Sequence, residues 1–296
     1  MREDRYRAIL HARSHRPEAI VEAAAGRVRP TSLYNDLGRL MIIAADHPAR
    51  GALRAGQRAM AMADRMELLD RLCLALSRPG VNGVLGTPDI VEDLLLLGAL
   101  DGKVVIGSMN RGGLAGAVFE IDDRFTGYDA ASLATAGFEG GKMLLRIDPD
   151  DPATAATVES CARAVGELAE RRLMAMVEPF IAHRADGRVR IDLSPEATIR
   201  AMTVAAGLGT TSAYTWLKVP VVEEMERVMA ATTLPALLLG GEVSSAQDAA
   251  FESWRKALKL PTVRGLVIGR SLLYPPDDDV AATVDMAVGL LGKEAC

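Results

Sequence analysis

Lys218 ends the strand predicted within the stretch Ser212-Ala213-Tyr214-Thr215-Trp216-Leu217-Lys218-Val219-Pro220, where an amine could attack a carbonyl carbon and form a Schiff base. Side chains alternate between the two faces of a β-strand, so Tyr214, Trp216 and Lys218 share one face. Burial beside aromatic rings disfavours the ammonium and lowers the lysine pKa, which is what nucleophilic attack requires. The competing reading is structural: a lysine that snorkels or forms an ion pair at a strand end.

Other chemistry-bearing residues also stand at the ends of apolar runs. Asp46 follows IIAA, Arg111 follows IGSMN, and Glu178 closes LMAMV. Lys142 opens KMLLRID, where period two puts it on one face with Leu144 and Arg146. Singly, each could be an ordinary cap or ion pair. As a set they offer more: a second base beside Lys218 lowers its pKa by like-charge repulsion, and a carboxylate moves protons during imine formation and carbon–carbon cleavage. Two glycine turns complete the set, Gly240-Gly241-Glu242 and Gly269-Arg270-Ser271. Glycine lets backbone amides approach an anion, a following helix start adds a favourable dipole, and Arg270 adds fixed charge, so both turns are expected to hold phosphate.

The elements that must position these residues are legible as eight short apolar runs, at 40–45, 81–85, 104–106, 143–147, 173–177, 212–217, 236–239 and 263–268. Stretches of helical periodicity lie between them, at 60–76, 88–97, 153–171, 195–206, 221–231 and 245–257. Alternating strand and helix imply an α/β fold with a parallel sheet, and eight units in 296 residues are the ordinary size of a (β/α)8 TIM barrel. An open doubly wound sheet is the alternative, weakened by the lack of G-x-G-x-x-G after the first strand. Barrel chemistry sits at the C-terminal strand ends, where Asp46, Arg111, Glu178 and Lys218 fall.

The expected organisation is an N-terminal helical extension over 1–35 and a single barrel over 36–296. Residues 111–128 are expected to form a small hairpin or flap over the mouth, and Asp186-Gly187 to turn a second hairpin within 179–193. His11 and His15 are four apart, but with no third ligand nearby a solvated helix face is the better reading, and no metal is expected.

The net charge of -5 and the scattered basic residues provide no footprint for nucleic acid. Cys73, Cys161 and Cys296 are far apart, cannot all pair, and read as thiols in a reducing compartment. The charged N-terminus lacks an apolar signal core and no apolar run reaches membrane-spanning length, so a cytoplasmic protein with no membrane partner is expected. The helical N-terminus and the apolar helices suggest a homo-oligomer.

The runs AADHP, GGKMLLRID, LKVP before an acidic helix, LLLGGE and GLVIGRSLLY resemble the class I aldolases of the archaeal/bacterial fructose-bisphosphate and tagatose-bisphosphate aldolase superfamily, over about residues 38–275. The resemblance implies a Schiff base on Lys218, proton relay by Lys142 and Glu178, a role for Asp46, and sugar-phosphate binding at Gly240, Gly241, Gly269 and Arg270, with no cofactor. Arg146 and Arg111 are further candidates for the substrate. Archaeal members place a tyrosine acid at the end of strand four, where this chain has Arg146 and Asp148, so the leaving-group acid is open. The implied reaction cleaves or forms a carbon–carbon bond in a phosphorylated ketose or keto-sugar acid, with dihydroxyacetone phosphate as donor, in sugar or inositol catabolism. Deoxyribose-phosphate aldolases, more distant relatives, follow the lysine with a Thr-Ser-Thr-Gly turn; here Val219-Pro220-Val221 follows. A metal-free acid–base isomerase or decarboxylase using Asp46 and Glu178, and a non-catalytic sugar-phosphate-binding protein, are the remaining alternatives.

Overall fold

The computed structural model describes residues 3–35, 38–241 and 247–292. Runs that are apolar on both faces become strands buried on both faces. They are β1 (Leu40–Ala44), β2 (Gly83–Gly86), β3 (Val104–Ser108), β4 (Gly140–Ile147), β5 (Met174–Ala185), β6 (Arg188–Asp192), β7 (Thr215–Val219), β8 (Ala236–Leu239) and β9 (Val263–Ile268). The helices are α1 (Glu3–His15), α2 (Glu18–Gly26), α3 (Arg65–Ser77), α4 (Pro88–Leu96), α5 (Ala130–Thr135), α6 (Ala153–Glu170), α7 (Pro195–Ala206), α8 (Met225–Met229), α9 (Gln247–Ala257), α10 (Arg270–Leu273) and α11 (Val280–Gly289). All the strands except β6 pair in parallel in the order β4-β3-β2-β1-β9-β8-β7-β5, and β4 pairs with β5 to close the ring. The chain is a (β/α)8 barrel, as the alternation of runs implies.

Closure creates two separate apolar layers. Leu40 and Ile42 of β1, Val104 and Ile106 of β3, Met174 and Met176 of β5 and Trp216 of β7 fill the interior. The alternate residues, such as Met41, Ile43, Val105, Ala175 and Leu217, pack outward against the helices. Further along the same inward parity the chemistry changes: Asp46, Ser108, Glu178 and Lys218 stand past the apolar floor of their strands, and Lys142, the third residue of β4, joins their layer. A polar layer thus rests on a floor of aliphatic and aromatic side chains, and the barrel supplies its low dielectric.

Several expectations shift in detail. The strand carrying Lys218 begins at Thr215, so Tyr214 precedes it, and Trp216 lies in the interior cluster one pleat below the lysine. The amine itself pairs with Glu178 Oε1 at 2.8 Å, with the charges of Arg111 and Arg270 nearby. The segment 111–128 contains a single antiparallel bridge, Asn110 with Phe125, and otherwise only turns, so it is a folded loop and not a hairpin. The Asp186-Gly187 turn does join a hairpin: β5 runs on past the barrel wall and pairs antiparallel with β6. Both turn residues have positive φ, 52° and 71°, which Asp and Gly tolerate. The predicted helix at 221–231 shrinks to α8, and residues 245 and 246 of the one predicted at 245–257 lie outside the described residues.

The N-terminal residues form two helices held by arginines. Arg13 donates to Asp93 Oδ1 at 2.7 Å and to the Asp89 carbonyl at 2.9 Å, both on α4. Arg27 is buried at the bases of β3 and β4, donating to the carbonyls of Lys103 and Gly137 and to Glu139 Oε1 at 2.9 Å. Leu33 then packs on the interior cluster, with the Tyr34 ring 5.9 Å from that of Trp216, so the extension covers the N-terminal mouth of the barrel. His11 and His15 stack at 4.6 Å, and among the described residues no group of three or more His, Cys, Asp or Glu side chains could hold a metal ion. Nor is any helix among them long and apolar enough to cross a membrane.

Candidate active site

Glu178 is the hub of the polar layer. Its Oε1 lies 2.8 Å from Lys218 Nζ, and its Oε2 pairs with Lys142 Nζ. Lys142 Nζ also lies 3.3 Å from Asp46 Oδ2, which further accepts from Ser108 Oγ at 3.1 Å and pairs with Arg111. Side chains from five strands or their C-terminal extensions therefore converge on one connected network. The register explains part of it: β4 and β5 align Leu144 with Glu178, so the inward Lys142 and Glu178 side chains meet diagonally across the pair.

Burial and charge then tune each group. Desolvation lowers the Lys218 pKa and the nearby Arg111 and Arg270 push it down further, against the attraction of Glu178. Lys142 is driven well below the ordinary lysine range, first by burial and then by Arg111. Burial opposes ionisation of Glu178, yet Lys142, Lys218 and Arg111 outweigh it and hold the carboxyl well below its usual range. Arg111, lowered to about 10 by desolvation, remains cationic at neutral pH. The result is a permanent carboxylate between two amines that give up protons readily, an arrangement suited to carbonyl attack and dehydration.

A cavity of about 590 Å³ opens above the network. Lys218, Glu178 and Arg111 line its floor, while Lys142 and Asp46 lie fully buried beneath. One side is formed by Gly240, Gly241, Gly269 and Arg270, the anticipated phosphate turns. Gly241 has φ +66°, and a Cβ on Gly269 would stand 2.3 Å from the Ala44 carbonyl oxygen, so both positions demand glycine. Ser271 Oγ is buried, has no hydrogen-bond partner among the described residues, and lies 3.0 Å from where a Cβ on Gly240 would be. The helix following β9 is the single turn α10, so Arg270 and the two turns carry most of the attraction expected of this side. Glu242, grouped in the sequence with the first turn, lies outside the described residues.

The opposite side is built from the 111–128 loop and the β5–β6 hairpin, which contributes Phe180, Val189, Ile191 and Leu193. Arg146 lines this side, but its guanidinium is committed: it donates to both Asp123 oxygens, at 2.6 and 2.9 Å, to Glu120 Oε1 at 3.3 Å and to the Glu120 carbonyl. It pins the loop over the mouth. Arg50 stands 3.6 Å from Glu120 Oε1 across the cavity edge.

Every singled-out strand-end residue thus reaches the same mouth, and Lys218, Glu178, Lys142, Asp46 and Arg111 join directly. Sequence reasoning did not single out Ser108, although the inward parity of Val104 and Ile106 leads to it. It also passed over His47, which adjoins Asp46 and lines the cavity, and Asn110, which holds β3 to β4. Glu120, Asp123 and Arg50 carry no local signal, because their roles exist only after the loop folds against Arg146.

Residues 38–288 match the family model described as Cgl0159-like. The crystal structure of Cgl0159 from Corynebacterium glutamicum is 53% identical, covers 98% of each chain and superposes with a TM-score of 0.96. An archaeal fructose 1,6-bisphosphate aldolase superposes at 0.65 with 17% identity, covering 92% of this chain and 98% of its own. A fructose-bisphosphate aldolase from Slackia heliotrinireducens superposes at 0.61 with 16% identity, covering 94% and 89%. These two share the fold. No curated protein matches the sequence. With the family model spanning the barrel and the site it carries, the chain belongs to the Cgl0159-like family.

Proposed function

We propose that the protein is a class I aldolase, a lyase that cleaves or forms a carbon–carbon bond in a phosphorylated ketose or keto-sugar acid through a Schiff base on Lys218. The observation that carries this reading is the sharing of one buried carboxylate, Glu178, by Lys218 and Lys142 at the floor of the cavity. Lys218 as free amine attacks the substrate carbonyl; Glu178 and Lys142 carry the protons that convert the carbinolamine to an iminium and water. The iminium then accepts the electron pair of the bond between the third and fourth carbons. Arg270 with the turns at Gly240, Gly241 and Gly269 holds the phosphate, which places the carbonyl over Lys218. Asp46 anchors Lys142 and Arg111, and is a positioning residue in this scheme. Dihydroxyacetone phosphate as donor and a place in sugar or inositol catabolism belong to the same proposal and rest on the sequence resemblance; self-association and a cytoplasmic location are proposed on the helical N-terminus, the apolar helices and the charged start of the chain.

The test is borohydride reduction in the presence of dihydroxyacetone phosphate, followed by peptide mass spectrometry. An adduct on Lys218, absent from Lys218→Ala, is expected. If dihydroxyacetone phosphate, pyruvate, acetaldehyde and sugar phosphates all fail to leave an adduct, the Schiff-base reading is wrong.

A further inference from the structure

Cleavage through an iminium needs one more proton carrier than the network supplies. Glu178 has one oxygen on Lys142 and the other on Lys218. Asp46 Oδ2 serves Ser108, Lys142 and Arg111. Glu120 is held by Arg146 and by the Gly116 amide. No tyrosine lines the cavity among the described residues.

His47 differs from all of these. It follows Asp46 and precedes the 3-10 turn Pro48–Arg50, and its ring lines the cavity. Its Cε1 lies 3.1 Å from the position of a Cβ on Gly269, so the imidazole packs against the turn that carries Arg270. Among the described residues Nδ1, a buried atom, has no hydrogen-bond partner, and neither does the buried Asp46 Oδ1, 3.9 Å away. That separation is too long for a hydrogen bond, yet short enough for an imidazolium to close on the carboxylate. Burial, then Arg270 and Lys218, with a smaller push from Lys142 and against the pull of Glu178, keep the ring neutral at neutral pH. With Nδ1 carrying the ring proton toward Asp46 Oδ1, Nε2 is the nitrogen left to act as base, and the imidazolium formed there has its counter-charge already in place.

We propose that His47 is the acid–base residue that takes and returns the substrate proton while substrate is bound as an iminium on Lys218. The inference rests on the aldolase reading. With dihydroxyacetone phosphate, His47 removes a proton from the third carbon; the C–H pair becomes the enamine double bond and the C=N pair moves onto nitrogen. The imidazolium pairs with Asp46 and gives a proton back to the same carbon as the enamine reverts. With a longer substrate, His47 takes the proton of the hydroxyl on the fourth carbon. The O–H pair becomes the aldehyde C=O, and the pair of the broken carbon–carbon bond becomes the enamine.

Dihydroxyacetone phosphate alone suffices as the probe, with imine formation followed by borohydride trapping and proton transfer by NMR as hydrogen–deuterium exchange at the third carbon. His47→Asn and His47→Gln are expected to trap the imine on Lys218 as the unmodified protein does, while exchange slows by about 10²-fold or more. Exchange within about threefold of the unmodified rate in either variant, well under the usual worth of an acid–base group, overturns the proposal. Loss of imine trapping in both variants also overturns it, because His47 would then be building the site rather than moving the proton. An unmodified protein that forms no imine would instead defeat the aldolase reading itself.

Discussion

At the scale of single residues, the chemistry proposed for the site rests on two amines and one carboxylate. If Glu178 carries protons as proposed, Glu178→Gln removes that carrier while Lys218 keeps its burial and its cationic neighbours, so imine formation should slow by about 10²-fold or more, read by rapid quenching into borohydride. The same residues set the pH dependence of stability. Between the depressed pKa of Glu178 and its ordinary value of 4.5 the unfolded chain binds more protons than the folded one, so stability rises with pH. That stabilisation is complete above 4.5 and is lost as pH falls through the folded value. The depressed Lys142 and Lys218 act in the same direction at the alkaline end, adding stability as pH climbs toward 10.5. Urea titrations across pH should therefore show an acid limb that Glu178→Gln flattens. Lys218 and Glu178 were both readable from their places at strand ends, whereas their bridging was not, since nothing local in either strand says that one carboxylate will serve both amines.

At the scale of elements, strands and loops hold these groups through shared hydrogen bonds. Asn110, just past β3, accepts from the Leu144 amide at 2.7 Å and donates to the Leu144 and Asp123 carbonyls at 2.7 and 3.1 Å. One side chain thereby joins β3, β4 and the loop that covers the mouth, next to Arg111. Asn110→Ala leaves three buried backbone groups without their partner, which should cost about 1–3 kcal/mol per group left unsatisfied, measurable as a lower urea midpoint. The variant should also weaken donor binding, because Arg111 and the Arg146-pinned loop lose a common anchor. Period two placed Lys142, Leu144 and Arg146 on one face, and they do share it. It did not reveal that Arg146 would be taken up by Asp123 and Glu120, which depends on a loop whose path no periodicity describes.

The whole molecule works as a sealed cup. The extension covers one mouth, the polar layer floors the other, and an aliphatic interior separates them. Arg27 fastens the cover: its guanidinium meets Glu139, whose Oε2 in turn accepts from the Val105 amide at 2.8 Å. Arg27→Met should cost about 3 kcal/mol, the low end for breaking a buried pair, since Arg29 lies 3.5 Å from the same carboxylate. Imine trapping on Lys218 should survive under native conditions, because the site is at the opposite end; a denaturation curve beside a trapping assay checks both halves.

The sequence by itself determined the eight barrel strands, their parallel alternation with helices and the strand ends at which Asp46, Glu178 and Lys218 stand. Those properties are local: an alternation of apolar residues or a helical period can be read within one segment. Tertiary structure alone decided that Glu178 reaches both lysines, that Arg146 latches a loop, and that His47 and Asp46 face each other with unused atoms. Such juxtapositions depend on how the strands are staggered when the sheet closes and on where the long loops fold back, and those are collective consequences of packing the entire barrel.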